Sequence, residues 1–185
     1  SFDLQHCVEF TVEAGRPDSI TREKLAVLRK HHIDRISINP QTMNDETLRT
    51  IGRAHTSDQT KEAFAMAREA GFDNISCDLM LGIPKQTEKS LDESIDFLLS
   101  LNIEHISVYL LKIEEGTPFS KIKNLDFADD DMSSALYLHT AKRLKDAGYE
   151  HYEISNFAKK GFESRHNLKY WNLEEYLGIG PAAHS

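Results

Sequence analysis

One short phrase recurs along the chain and sets its architecture. An acidic residue in a turn, followed by β-branched residues and a serine, occurs at 32–37, 71–76 and 102–107 and, more loosely, at 148–155. Each copy follows a stretch whose apolar residues have helical spacing, and each begins a run with strand composition. Strands that alternate with helices are joined by right-handed crossovers into a parallel sheet. The repeat therefore predicts an α/β fold with parallel strands and outer helices.

The boundaries of these elements follow from the same pattern. Strands are predicted at 7–13, 34–39, 74–81, 105–111 and 150–155. Side chains that cap helix N-termini mark the helix starts, at Thr21, Asn44, Thr56, Thr87 or Ser90, and Asp129. Five strands are too few for an eight-stranded barrel, which takes about 250 residues, so a partial barrel and an open doubly wound sheet both remain.

Residues 156–185 differ in composition from the rest of the chain. They are rich in Asn, Gly, aromatic and His residues and lack the alternation of strands and helices. We therefore predict two parts, a βα domain over 1–155 and the start of a further module over 156–185. The first residue is Ser rather than Met and a strand follows almost at once, so we expect a piece of a longer protein, truncated at its N-terminus.

Composition narrows the range of functions. The chain has 22 basic and 30 acidic residues and a formal net charge of −8, which argues against a surface that binds nucleic acid through its phosphates. No run approaches the about 20 apolar residues of a membrane span, and no secretory signal opens the chain. Its two cysteines are too few for a disulfide framework, so we expect free thiols and a cytoplasmic location.

Alternation along the predicted strands separates an apolar face from a polar face. The polar face carries Glu13 and Asp78 near the carboxyl ends of the first and third strands, and Gln41 and Arg53 follow the second strand. Parallel α/β sheets bind ligands at this edge. Buried carboxylates need partners, which leaves two interpretations: an internal ion-pair network of Arg53 with Asp78 or Glu13, and a polar ligand.

The segment 165–171 groups an imidazole, an amide and two aromatic rings, one of them the only Trp of the chain. A histidine beside flat aromatic rings suits an iron porphyrin. The alternative is that Tyr170 and Trp171 pack the tail onto the sheet while His166 and Asn167 make ordinary loop hydrogen bonds. The residues alone leave both interpretations open.

Seven segments, in order and with matching spacings, resemble one family of enzymes. They are EFTVE at 9–13, NPQTMND at 39–45, IGRAHT at 51–56, DLMLGIPKQT at 78–87, HISVY at 105–109, YEISNFA at 152–158 and HNLKYW at 166–171. The family is the oxygen-independent coproporphyrinogen III oxidase-like branch of the radical S-adenosylmethionine (SAM) enzymes. The resemblance covers essentially the whole chain.

The resemblance implies a partial (βα)6 barrel that binds SAM at the carboxyl ends of its strands. Four side chains fall on the family's SAM-binding positions: Glu13, Gln41, Arg53 and Asp78. Backbone near Met80 and Lys112 would cradle the adenosyl group. An arginine fork suits the methionyl carboxylate, and carboxylate or amide oxygens suit the ribose hydroxyls or the ammonium.

The resemblance also implies a [4Fe–4S] cluster, and here the chain departs from the family pattern. The family holds its cluster with a C-x3-C-x2-C loop, which is absent from this sequence. Cys7 and Cys77 lie far apart on predicted strands and do not replace it. We therefore expect the longer parent protein, a radical SAM oxidoreductase, to bind the cluster and to receive electrons from a donor. This chain alone is expected to hold no metal, to carry no catalytic residue and to be inactive.

Two functions occur within the family. The first is that of coproporphyrinogen dehydrogenase, the oxidative decarboxylation of two propionates in porphyrin biosynthesis, and the stretch 9–25 resembles that branch. The alternative is a heme chaperone, which binds and delivers heme without oxidase activity. The HNxxYW signature of that branch matches HNLKYW and assigns heme to His166, Asn167, Tyr170 and Trp171. A third interpretation is a binding module without a cofactor. The oxidase is the main expectation, with SAM and a tetrapyrrole as partners.

Overall fold

The computed structural model describes residues 6–117, 119–122 and 127–184. The strands are β1 (Thr11–Gly15), β2 (Arg35–Gln41), β3 (Asn74–Leu81), β4 (His105–Leu110), β5 (Glu150–His151) and β6 (Asn156–Ala158). The helices are α1 (Arg22–Lys30), α2 (Asp45–Thr50), α3 (Ser57–Glu69), α4 (Glu88–Ser100), α5 (Asp130–Asp146) and α6 (Arg165–Trp171). Short 3-10 helices occupy Pro17–Ser19 and Phe119–Lys121.

The strands form one sheet in the order β1-β2-β3-β4-β6-β5. The first four strands are parallel, as the alternation of strands and helices predicts. β6 runs antiparallel to β4, and β5 runs antiparallel to β6. The sheet thus continues through Ala158, while a division of the chain into 1–155 and 156–185 stays a prediction.

The predicted strand at 150–155 is wrong in length and direction. The chain pairs at β5, bends over 152–155 and returns as β6. The Glu153 carboxylate accepts a hydrogen bond from the Ser155 amide (3.0 Å), and the Ser155 carbonyl accepts one from the Val108 amide (2.7 Å). These bonds fix the bend beside β4, so the fourth copy of the repeat ends in a hairpin.

The acidic residue of the repeated phrase ties neighbouring strands together. Asp34, before β2, accepts a hydrogen bond from the Phe10 amide just ahead of β1 (2.8 Å). Glu104, before β4, accepts one from the Ile75 amide at the start of β3 (3.0 Å) and pairs with Arg68 (2.9 Å). Each carboxylate satisfies a backbone donor at the end of the ladder, so the repeated acid has a structural role in these two copies.

Helices α1 to α5 begin at the predicted capping residues. Each of the following side chains accepts a hydrogen bond from a first-turn amide: Thr21, Asn44, Thr56, Thr87 and Asp129. Of the two candidates for α4, Thr87 is the cap and Ser90 completes a capping box. Such a cap stabilises a helix by about 1 kcal/mol. Within the described ranges, none of the helices is long and apolar enough to cross a membrane.

The apolar face of the sheet carries the core. Its fully buried side chains are Ile36, Ile38, Ile75, Cys77, Leu79, Ile106 and Val108. Helices α1, α3, α4 and α5 cover this face, each with buried side chains of its own: Leu25, Phe64, Leu91 and Leu136. Burial of each large apolar side chain contributes about 1.5–3 kcal/mol. Because these helices lie on one side, the polar face of the sheet is left open for a site.

Candidate functional site

A polar cavity of about 510 Å³ opens on the face of the sheet opposite the core. Strand residues of the predicted polar face line it, together with the start of α6: Glu9, Thr11, Glu13, Arg35, Ser37, Ser76, Asp78, His105, Ser107, Tyr109, Ser164, His166 and Asn167. The alternation of the sequence predicts this surface because every second residue of a strand points to the same side.

Asp78 and Glu13 line this cavity from β3 and β1. Burial and, after it, the negative charge of Glu13 raise the pKa of Asp78 to about 6. Ser107 and Gln41 lower that pKa by hydrogen bonding, and Arg53 lowers it by its positive charge. The structure therefore brings Glu13, Gln41, Arg53 and Asp78 together, although they come from four separate stretches of the chain.

Arg53 lies near these carboxylates without closing an ion pair on either. No contact within 4.0 Å joins its nitrogens to the oxygens of Asp78 or Glu13, three residues that the structure describes. The internal network of Arg53 considered in the sequence analysis is thus not formed. A guanidinium and two carboxylates that stay apart suit a ligand carrying both a carboxylate and positive charge.

Gln41 reaches Asp78 from an unusual backbone conformation. Its φ is +67°, in the left-handed region that residues other than glycine rarely adopt, and the residue is buried. His55 supports this bend, because its Nε2 lies 3.2 Å from the Pro40 carbonyl. Burial is the main cause that lowers the pKa of His55, which favours its neutral form. The sequence analysis gave no role to His55, although His55 lies in the segment 51–56, one of those that resemble the family.

The backbone expected to cradle the adenosyl group is partly occupied. The Met80 carbonyl accepts a hydrogen bond from the Gln86 side chain (3.0 Å). The Lys112 side chain is exposed and pairs with Glu114 (2.9 Å), away from the residues that line the cavity. The Met80 carbonyl thus already has a partner within the chain, and contacts of Met80 and Lys112 with a ligand stay predictions.

The segment HNLKYW forms α6, and only its first half faces the cavity. His166 and Asn167 line the cavity, whereas Tyr170 and Trp171 are 43% and 52% exposed. Tyr170 and Trp171 are therefore not packed against the sheet, which was the alternative to a heme contact. The Tyr170 hydroxyl instead lies 3.0 Å from His166 Nε2, and its ring meets Tyr176 edge to face.

Sequence reasoning gave no role to a second group of buried polar residues, at the amino-terminal end of the strands. Arg35 donates to Ser76 Oγ (3.0 Å) and pairs with Glu9 (3.7 Å). His105 Nε2 lies 2.7 Å from the Tyr152 hydroxyl. Burial and the positive charge of Arg35 lower the pKa of His105 to about 3, so this imidazole is neutral. The alternation of the sequence places Glu9 and Arg35 on the polar face, but it does not predict which residues they contact.

Two buried polar atoms on the cavity side have no hydrogen-bond partner in the described structure: Thr11 Oγ1 and His105 Nδ1. Unpaired buried polar atoms cost free energy, so a cavity that holds them favours a ligand with hydrogen-bonding groups. Nearer the carboxyl ends of the strands, the carboxylates of Glu13 and Asp78, the Gln41 amide and the Arg53 guanidinium complement the carboxylate, ammonium, sulfonium and hydroxyl groups of SAM. The residues present therefore fit SAM.

The cysteines do not fit an iron–sulfur cluster. The chain has two, whereas the C-x3-C-x2-C loop of the family supplies three thiolates close together. Cys7 is exposed ahead of β1, and Cys77 is buried on the core side of β3, where burial raises its pKa well above the usual value. A thiol that resists ionisation is a poor metal ligand. No chemical step is therefore assigned to a cluster on this chain.

A cluster of ligand-type side chains lies outside the cavity, between α4 and α5. Glu88, Asp92 and His139 place their ligand atoms within 4.8 Å of one another. His139 Nε2 lies 2.8 Å from Asp92, and the Arg143 guanidinium also binds that carboxylate. Because the arginine supplies positive charge where a cation would sit, these groups are explained as an ion-pair network between two helices.

Comparison with known proteins identifies the family. A family model, the radical SAM superfamily, matches residues 5–98. The chain is similar to the heme chaperone HemW of Bacillus subtilis (strain 168), with 44% identity over 179 residues, 95% of this chain and 47% of the relative. It is similar to the oxygen-independent coproporphyrinogen-III oxidase-like protein HemZ of the same organism, with 35% identity over 197 residues, 99% of this chain and 39% of the relative.

A solved structure supports the fold. Coproporphyrinogen III oxidase (HemN) from Escherichia coli, a radical SAM enzyme, matches with a TM-score of 0.78 and 24% identity, over 95% of this chain and 43% of that one. The predicted fold class, a radical SAM barrel with parallel strands and outer helices, is thereby confirmed. The chain belongs to the radical SAM superfamily and, within it, to the oxygen-independent coproporphyrinogen III oxidase-like family. It spans about half the length of the relatives it matches.

Proposed function

We propose that this chain is the SAM-binding and heme-binding part of a heme chaperone. One observation carries the proposal: a single cavity is lined by Glu13 and Asp78, two candidate SAM residues, and by His166 and Asn167 of the HNLKYW segment. The higher identity to the protein named HemW than to the one named HemZ favours the chaperone over the oxidase.

In this proposal the chain's own groups bind and orient SAM. The Arg53 guanidinium would donate charge-assisted hydrogen bonds to the methionyl carboxylate. Asp78, Glu13 and Gln41 would accept hydrogen bonds from the ammonium or the ribose hydroxyls. The negative charge of Glu13 contributes to the raised pKa of Asp78. The positive groups of the ligand would offset this repulsion between the two carboxylates.

SAM supplies an activated sulfonium when it is bound. Because the two cysteines of this chain do not fit a cluster, reductive chemistry on SAM is left to the longer parent protein and its electron donor. The contribution of this chain is to hold the ligand toward the carboxyl ends of the strands, where Glu13 and Asp78 line the cavity.

Heme is the cargo in this proposal. His166 offers an imidazole at the cavity, and an imidazole is a common axial ligand of heme iron. Asn167 lies beside it, and the half-exposed rings of Tyr170 and Trp171 provide flat apolar surface on the same helix. We therefore assign iron ligation to His166 and flanking contacts to the other three residues.

Oxidase function is the second candidate. The similarity to HemZ, whose name describes an oxidase-like protein, favours it. In that case a tetrapyrrole such as coproporphyrinogen would be the substrate, and the parent protein would need a cluster and an electron donor. A cytoplasmic location belongs to both proposals.

Heme titration followed by absorbance tests the chaperone function. We expect the wild-type chain to shift the Soret band of heme and His166→Ala to lower the affinity by at least about tenfold, as loss of a metal-site group does. His31→Ala, which removes an exposed imidazole after α1, is the matched control and should bind as the wild type does. Unchanged binding by His166→Ala contradicts the heme assignment.

Calorimetry tests the SAM site. Arg53→Ala should weaken SAM binding by about 1.5–3 kcal/mol, because charge-assisted hydrogen bonds are lost. Arg49→Ala in α2 removes an exposed arginine nearby and should have no effect. If Arg53→Ala binds SAM as the wild type does, Arg53 is not part of the site. Turnover of coproporphyrinogen by the parent protein, reconstituted with iron and sulfide, would contradict the chaperone proposal.

A further inference from the structure

The first turn of α6 is hydrogen-bonded to the carboxylate of Glu9, which lies near the other end of the chain. Glu9 Oε2 accepts a hydrogen bond from the Arg165 amide (3.0 Å), and Glu9 Oε1 accepts one from the His166 amide (3.3 Å). Ser164 Oγ accepts a third from the Asn167 amide (3.3 Å). The first amides of a helix have no partners within the helix, so two side chains satisfy three donors here.

Arg35 holds Glu9 in place. The two charged groups lie 3.7 Å apart, and their side chains are 3% and 11% exposed. Arg35 Nη2 donates to Ser76 Oγ (3.0 Å), and Nη1 donates to the Phe162 carbonyl (3.2 Å). Because both charges are buried and hydrogen-bonded, the Glu9 carboxylate is fixed, and its negative charge faces the positive end of the α6 dipole.

A second contact fixes the chain just before α6. The Tyr152 hydroxyl accepts a hydrogen bond from the Ser164 amide (3.2 Å) and lies 2.7 Å from His105 Nε2. His105 is itself buried in β4, so this contact is anchored to the sheet. The start of α6 is thus held to the sheet through its backbone, at its capping residue and at the two residues that follow.

We propose that Glu9 is a positioning residue for His166. Glu9 bonds to the backbone amide of His166, so it sets where the imidazole stands at the cavity, and Arg35 orients Glu9 in turn. A glutamine at this position would offer one acceptor oxygen in place of two. Its NH2 group would face other donors, either the amides of α6 or the guanidinium of Arg35. This inference rests on the proposed function, in which His166 binds heme.

Heme binding by Glu9→Gln tests the role. The variant keeps the size of the side chain and loses one acceptor and the charge. We expect its affinity for heme to fall roughly tenfold, because a charge-assisted hydrogen bond is lost at the ligating residue. We also expect the g-values of bound ferric heme in electron paramagnetic resonance to change, since they depend on the orientation of the axial imidazole. A purely structural role would lower the melting temperature and leave those g-values unchanged.

Glu163→Gln is the matched control. Glu163 stands in the turn before α6 and accepts a hydrogen bond from the Gly161 amide (3.2 Å), not from an α6 amide. This variant should bind heme with wild-type affinity and g-values. A loss equal to that of Glu9→Gln would overturn the specific role of Glu9.

The outcomes separate this inference from the proposed function. Wild-type affinity and g-values in Glu9→Gln, with binding impaired in His166→Ala, overturn the positioning role and leave the heme site standing. Wild-type heme binding by His166→Ala overturns the heme site and the positioning role with it.

Amide hydrogen exchange in the wild-type chain covers the case in which Glu9→Gln does not fold. We expect the amides of Arg165 and His166 to exchange at least about tenfold more slowly than that of Asp58, in the exposed first turn of α3, because Glu9 holds them. Exchange of both amides as fast as that of Asp58 would overturn the proposal.

Discussion

Glu13 on β1 lies close enough to Asp78 on β3 for its negative charge to raise the pKa of that carboxyl, although β2 runs between the two strands. Burial is the larger cause, and the two effects together bring the pKa to about 6. A carboxyl that resists ionisation lowers the stability of the folded protein at neutral pH. Its presence is therefore better explained by a ligand than by the fold.

Asp78→Asn should stabilise the chain at neutral pH. The folded protein binds the Asp78 proton more tightly than the unfolded chain, whose ordinary pKa is 3.8, so the free energy of unfolding falls as the pH rises from about 4 to about 6 and stays lowered above that range. The variant should gain about 1–3 kcal/mol near neutral pH and nothing near pH 4. Urea unfolding at both pH values measures the gain, with Asp73→Asn in an exposed turn as control. An equal gain at both values would contradict the explanation.

SAM binding should weaken as the pH falls below about 6. Protonation of Asp78 removes a negative charge that attracts the ligand, so the Kd should rise roughly tenfold between about pH 7 and pH 5. Calorimetry across that range measures the profile. Asp78→Asn should bind weakly at every pH, and a wild-type profile as flat as that of the variant would exclude Asp78 from the site.

Two substitutions at Gln41 should separate backbone strain from ligand contact. Both Gln41→Gly and Gln41→Ala lose the amide and should weaken SAM binding equally. The φ of +67° suits glycine and strains alanine, so the glycine variant should be more stable by about 1 kcal/mol once its greater unfolded-state entropy is included. Urea unfolding and calorimetry measure the two effects. Equal stability of the variants would mean that the bend carries no strain.

Tyr170→Phe should strengthen heme binding. The Tyr170 hydroxyl lies 3.0 Å from His166 Nε2 and competes with iron for that nitrogen. Without the hydroxyl, we expect the heme affinity to rise about threefold to tenfold, the range of one neutral hydrogen bond. Soret titration measures the change, and Tyr176→Phe, which alters the ring next to Tyr170, is the control. A lower affinity would mean that the hydroxyl supports the ligand rather than competing with it.

The carboxylates of the repeated phrase should differ in their contribution to stability. Glu104 is buried against the Ile75 amide and Arg68, so Glu104→Gln should lower the free energy of unfolding by about 1–3 kcal/mol. Asp34 makes the same kind of contact to Phe10 from an exposed position, so Asp34→Asn should cost less than about 1 kcal/mol. Denaturant unfolding compares the two. Equal losses would show that burial does not control the cost.

The parts of the fold that could be predicted are those that depend on residues close together in the sequence. β3 begins and ends at the predicted residues, 74–81, and the caps mark the helix starts because a cap involves only neighbouring residues. The polar face follows from the geometry of a single strand. The hairpin of β5 and β6 could not be predicted in this way, because its bend depends on a bond between Ser155 and Val108 on another strand.

The candidate site likewise has features that the sequence predicts and features that it does not. The meeting of Gln41 and Asp78 follows from the shared edge of parallel strands. The left-handed backbone of Gln41 does not, because a glutamine gives no sign of a positive φ. The bond between Glu9 and His166 joins residues 157 positions apart, and no periodic pattern carries information over that distance.

The bond between Glu9 and α6 also bears on when the chain becomes able to hold the proposed heme cargo. Glu9 precedes the first strand and its partners stand in the last helix described, so the bond can close only after the sheet between them has formed. Contacts over such separations carry a large loop-closure entropy and form late in folding. An unfinished chain would leave His166 without a fixed orientation. Iron porphyrin would then be captured by mature molecules and not by nascent ones.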